Sequence, residues 1–137
     1  MRKAYCAVLL ALAMVLLLAG CEGAPLSMVS AGNNMTVSAN NASDGATLEG
    51  TPISVKADKT FSLEASLEKG ELRIELVAAT VRRYSDKPDD VSLGDVIVWA
   101  ALSGEDRAEF SSPGKGDYVI RVTAVGETKG QVKISIR

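Results

Sequence analysis

From about residue 35 onward, short stretches of alternating apolar and polar residues are separated by clusters of Gly, Asp, Asn and Pro. The clearest is Phe61-Ser62-Leu63-Glu64-Ala65-Ser66-Leu67-Glu68. A period of two puts successive side chains on opposite faces of a strand, so one face enters a core while the other meets water. Leu72, Ile74 and Leu76 alternate with Arg73 and Glu75, and Tyr118, Ile120, Val122 and Ala124 alternate with Arg121 and Thr123. Val132, Ile134 and Ile136 share a face opposite Gln131, Lys133, Ser135 and Arg137. Val96 to Leu102 is apolar at every position, which predicts a central strand covered on both faces. Weaker strands are expected around residues 35–39, 53–57 and 77–84. Turn residues predict hairpins at Lys69-Gly70, Ser103 to Asp106, Gly114 to Asp117 and Gly126 to Gly130, with a further turn at Asp44-Gly45. Seven or eight strands without a run of helical period predict an all-β chain. An antiparallel, jelly-roll-like β-sandwich over residues 35–137 lets each amphipathic sheet bury one face.

The first 20 residues are of another kind. Arg2 and Lys3 precede Ala4 to Ala19, which carries no polar group except the Tyr5 hydroxyl and is short for a membrane span of about 20 residues. It ends in Leu18-Ala19-Gly20-Cys21, an apolar residue and two small ones before a cysteine. This motif resembles the lipobox of bacterial lipoproteins. The resemblance implies a signal peptide over residues 1–20, cleavage before Cys21, and diacylglycerol on the Cys21 thiol, with a further acyl chain such as palmitate on its amine in many bacteria. Two or three chains, at about 0.8 kcal/mol per buried methylene, hold a protein stably on a membrane. Glu22 stands where an aspartate would signal inner-membrane retention in enterobacterial lipoproteins. The expected address is therefore the cell envelope, on the outer membrane of a host that has one and otherwise on the outer face of the plasma membrane. Residues 21–34, with Gly23, Pro25, Ser27, Ser30, Gly32, Asn33 and Asn34, read as the lipidated cysteine and a flexible tether.

Composition narrows the chemistry further. The mean hydropathy of +0.14 owes much to the first 20 residues. In the remainder, Val, Ile, Leu and Phe are about 24%, above the roughly 20% level associated with disorder. The sequence has no histidine, and its two cysteines are Cys6 in the signal and Cys21 at the anchor. A histidine-based triad, a histidine metal site and a disulfide within the mature chain are thereby excluded. Lys and Arg number 15 against 17 Asp and Glu; without Arg2 and Lys3 the balance is 13 to 17, with no basic block. Nucleic acid is not an expected partner.

A second resemblance covers about Thr60 to Arg137. Phe61 with Leu63 and Leu67, Lys69-Gly70 with Leu72 and Ile74, Phe110 before Pro113-Gly114-Lys115-Gly116-Asp117-Tyr118, and Gly130-Gln131-Val132-Lys133-Ile134 resemble the jelly-roll sandwiches of bacterial pre-peptidase C-terminal domains. The resemblance implies a non-catalytic accessory fold.

Candidate sites are few. Asp86, Asp89, Asp90 and Asp95 offer oxygen ligands for calcium, without the spacing of an EF-hand; a solvated loop with Pro88 as a turn former is the preferred reading of them. Trp99, inside its apolar run, and Tyr118, opening a strand, are expected in the core. Tyr84, beside Arg82 and Arg83, is the better exposed aromatic, and an exposed Tyr84 or Trp99 would suit a sugar ring. The carboxylate pairs Glu105/Asp106 and Glu64/Glu68 imply no cleft, and no serine lies in a nucleophile-elbow setting. The expectation is a monomeric, lipid-anchored, non-catalytic sandwich that needs no cofactor and binds or supports another envelope protein. The alternative is a glycan- or calcium-dependent ligand module.

Overall fold

A computed structural model describes residues 25–111 and 114–137. The regular elements of these residues are all strands: β1 (Leu26–Ala31), β2 (Asn34–Ala42), β3 (Thr47–Glu49), β4 (Ile53–Val55), β5 (Thr60–Arg82), β6 (Asp90–Ser111) and β7 (Gly116–Ile136). They form one antiparallel seven-stranded sheet in the order β1-β2-β7-β5-β6. β2, β3 and β4 follow one another along one side of β7, while β5 pairs with its other side. The lipobox residues Leu18 to Cys21 and Glu22 lie outside the described residues, as do Ser112 and Pro113.

The alternating stretches become strands with the expected faces inward. Phe61, Leu63, Ala65 and Leu67, then Leu72, Ile74 and Leu76, then Tyr118, Ile120, Val122 and Ala124, then Val132 and Ile134 are buried in a single cluster. Burying each large apolar side chain contributes about 1.5–3 kcal/mol. Phe61, Leu63, Phe110 and Ile134 from one half of the long strands face Ile74, Leu76 and Ile120 from the other half across the same interior space. The sheet is therefore folded over on itself as a sandwich.

Three expected hairpins are instead kinks at which the chain runs on. Lys69-Gly70 lies within β5, Ser103 to Asp106 within β6, and Gly126 to Gly130 within β7, and the register shifts beside them. A glycine in the left-handed region inserts an extra residue into a ladder and bends the strand without ending it. At Gly70 (φ 79) the need is also steric, because a Cβ would collide with the Glu127 carbonyl and with Thr128. Since the kinks fall side by side on three paired strands, they form one corner of the sandwich. The Asp44-Gly45 turn is observed, and residues 83–89 form the polar connection between β5 and β6.

Two further expectations are corrected. The segment read as a tether contains β1, which pairs with β2 from Leu26↔Ala39 to Ala31↔Asn34. Leu26 is buried and Met28 packs on the core, an apolar pair too short to be recognised among Ser, Gly and Pro. The Val96–Leu102 run is not central. It belongs to β6, which among the described residues pairs with β5 alone, so that no other described strand lies along its outer edge. Leu102 enters the core, whereas Val96, Ile97 and Trp99 are exposed.

Candidate functional site

Directly opposed residues on neighbouring strands project from the same face, and this aligns one row across the outer face of the sheet. Glu49 on β3 faces Arg121 on β7, Arg121 faces Glu75 on β5, and Glu75 faces Trp99 on β6. Arg121 donates from Nε to Glu75 Oε1 at 2.7 Å, and its Nη1 lies 3.8 Å from Glu49. Arg73 donates from Nε to Glu75 Oε2 at 3.0 Å, and its guanidinium lies 3.8 Å from the Trp99 ring centroid. Both Glu75 oxygens are thus engaged, which suits a side chain that is only 8% exposed. Burial by itself raises the Glu75 carboxyl, but hydrogen bonds from Arg121 and Arg73, with their charges, outweigh it and bring the pKa below the ordinary 4.5.

Trp99 ends this row on the free edge and is 50% exposed. Along β6 the same outer face carries Val96, Leu93 and Val91, each more than a third exposed, opposite Val77, Ala79 and Val81 of β5. The arrangement is an apolar stripe beside a row of backbone donors and acceptors that no other described strand pairs, ended by the half-exposed indole. An extended segment or a flat ring can dock there.

The outer face of the other half of the sheet is polar. Glu64, Ser66, Glu105, Asp106, Arg107 and Lys133 border an open groove of about 700 Å³. Its carboxylates are spent on neighbours: Glu64 on Arg107 Nη2 at 3.4 Å, Glu105 on the Ser66 hydroxyl at 2.7 Å, and Asp106 on the Arg107 backbone N–H at 2.9 Å. Glu68 lies 3.7 Å from Lys129. The Glu105/Asp106 and Glu64/Glu68 pairs therefore stand among ion pairs on an open sheet face.

The residues singled out from the sequence are not brought together. Arg82 is seven residues beyond Glu75 along β5, which puts the hairpin end about 23 Å from Trp99 at strand spacing. Tyr84 is half-buried with Lys87 Nζ 4.2 Å from its ring, while Arg82 and Arg83 are exposed and Arg83 lies 4.0 Å from Asp89. Tyr84 and Trp99 thus exchange the exposures expected of them, because Trp99 lies on an edge strand, on the face that no second layer of the described residues covers. Tyr118 is buried as expected and its hydroxyl donates to the Gly114 carbonyl at 3.0 Å. Asp86 and Asp89 lie in the connection, Asp90 opens β6, and Asp95 lies farther along that strand. No group of three or more acidic residues among the described residues is placed to hold a metal ion. In the sequence Glu75 and Arg73 are only the polar positions of an alternating strand; their roles depend on cross-strand register, which the local pattern does not carry.

The fold and this face define the class: an all-β antiparallel sandwich with an open, aromatic-bearing edge strand. No protein-family model matches the sequence, and no curated protein matches it. Among solved structures, the chain is similar to PliG, a periplasmic inhibitor of g-type lysozyme from Aeromonas hydrophila, at 16% identity and a TM-score of 0.38, covering 72% of this chain and 90% of that one. It is also similar to the glycosylation-associated protein complex Gap123 from Streptococcus agalactiae, at 15% identity and a TM-score of 0.39, over 84% of this chain and 22% of that one. The cupin domain of Drosophila melanogaster CENP-C follows at 11% identity and 0.33, over 82% and 75%. At these scores the likenesses carry no argument about function.

Proposed function

We propose that this chain is a lipid-anchored, non-catalytic β-sandwich of the cell envelope that binds another envelope protein through β6. The observation that carries this reading is the open edge of β6 with its exposed Val91, Leu93, Val96 and Trp99. An unpaired edge offers backbone hydrogen bonds to an added strand, and alternate side chains of that strand gain apolar contact. Trp99 supplies the large aromatic area that dominates interface energetics, and the Arg73 guanidinium against its ring limits its motion. The anchor rests on the resemblance of Leu18-Ala19-Gly20-Cys21 to a lipobox, in which Cys21 would carry the acyl chains.

The test is in-cell cross-linking of the full-length chain from a photoreactive residue at Ile97, followed by mass spectrometry. One dominant protein adduct is expected, lost in Leu93→Lys and Trp99→Ala and kept in Lys133→Ala on the polar face. An adduct indifferent to the first two variants would refute the assignment of the surface. A second reading, glycan binding, is favoured by the half-exposed indole. Trp99 is the sole tryptophan, so its emission reports the site directly; a saturable shift with envelope oligosaccharides, absent with a protein partner, would establish that reading instead.

A further inference from the structure

The N-terminal end of β1 lies at the corner of the sandwich. Leu26 pairs with Ala39, Ala39 with Gly130 and Gly130 with Leu67, one continuous row beside the kinks. The Pro25 carbonyl accepts from the Asn40 N–H at 2.9 Å, so the ladder holds the chain as far back as Pro25. Four residue steps separate Pro25 from Cys21, and they span about 14 Å when fully extended. The long strands run away from this corner. β5 continues eleven residues from Glu71 to Arg82, about 36 Å at strand spacing. Its pairing with β7 ends at Ala79↔Asp117, so Thr80 to Arg82, with Asp90 to Ser92 and the connection between them, overhang the rest of the sheet. The opposite ends of the two halves come together near Asn33, Ile53, Val55 and Ile136, which places the overhanging hairpin at the end far from the corner.

We infer that the anchored protein stands with its kinked corner against the bilayer and its β5–β6 hairpin tip, carrying Arg82, Arg83, Tyr84 and Lys87, projected away from it. This inference rests on the lipid anchor at Cys21 proposed above. The short reach from Cys21 to Pro25 holds the corner, with Ser43 and Asp44, at headgroup level, and the rise of β5 and β6 puts the hairpin tip beyond it by most of the strand length. The apolar stripe of β6 then lies between these levels, facing along the membrane surface toward neighbouring envelope proteins.

The chain with its own signal, purified from membranes, provides the test. Ser43→Cys at the corner and Ser85→Cys at the tip, both exposed positions, carry a thiol fluorophore in phosphatidylcholine vesicles containing a headgroup quencher. An acylated Cys21 has no free thiol, so the parent chain takes up no label. The fluorophore at position 43 is expected to be quenched several-fold more than that at 85, and a 20-residue Gly/Ser insertion after Gly23 should remove most of the difference. Equal quenching at both positions, or more at 85, in a chain that floats with the vesicles overturns the orientation alone. A parent chain that takes up label and does not float overturns the anchor, and the orientation with it.

Discussion

Gly70 and Gly104 have similar left-handed backbones, φ 79 and 62, on neighbouring strands, but differ in what surrounds them. A Cβ on Gly104 would meet nothing within 4 Å, whereas one on Gly70 would meet the Glu127 carbonyl and Thr128, whose Cα would be 2.6 Å away. Thr128 is fully buried, and its hydroxyl holds the corner by donating to the Glu71 carbonyl at 3.2 Å or the Gly126 carbonyl at 3.0 Å. In Gly104→Ala only the backbone penalty applies, about 1–2 kcal/mol, offset by about 0.4–1 kcal/mol from a less flexible unfolded chain. In Gly70→Ala the same terms apply, and β7 must also move. Displacing Thr128 forfeits its hydrogen bond and strains the ladder beside it, adding about 2–3 kcal/mol. The expected losses are about 1 kcal/mol for Gly104→Ala and about 3–4 kcal/mol for Gly70→Ala, against a total stability of about 5–15 kcal/mol for a domain. Urea unfolding of residues 22–137, followed by circular dichroism, measures both. Losses within about 0.5 kcal/mol of each other, a difference at the scale of ordinary surface changes, would refute the close packing of β5 and β7 as the reason for glycine at position 70.

Glu75→Gln removes the charge at the middle of the Arg73–Glu75–Arg121 group and is expected to cost about 1–3 kcal/mol in the same assay. Because folding lowers the Glu75 pKa, its contribution is complete above the unfolded value near 4.5 and is lost as pH falls through the folded value. Acid titration of stability should therefore show a decline below about pH 4.5 that is smaller in Glu75→Gln; identical profiles would contradict the pairing. Phe61→Ala, at 1% exposure, is expected to cost about 3–5 kcal/mol, while Trp99→Ala on the open edge should cost about 1 kcal/mol and abolish the protein adduct. Adding or chelating calcium should leave the melting curve unchanged, because Asp86, Asp89, Asp90 and Asp95 are spread over a connection and a strand; a calcium-dependent rise in Tm would overturn that.

The sequence by itself determined which side chains of the alternating strands enter the core. Phe61, Leu63 and Leu67, and likewise Ile120 and Val122, are buried as a period of two requires, since each strand's amphipathicity is written in neighbouring residues. It also determined the all-β class and the absence of histidine chemistry. Tertiary structure decided what depends on pairing at long range. Gly70, Gly104 and Gly126 carry the same local signal whether a strand turns back or bends and continues, and only their alignment on three adjacent strands makes them a corner. Leu26 and Met28 became strand residues because β2 offered an edge. Trp99 became a surface residue because β6 fell last in the sheet: an apolar run states a preference for burial, but whether anything covers it depends on strand order, a property of the whole chain.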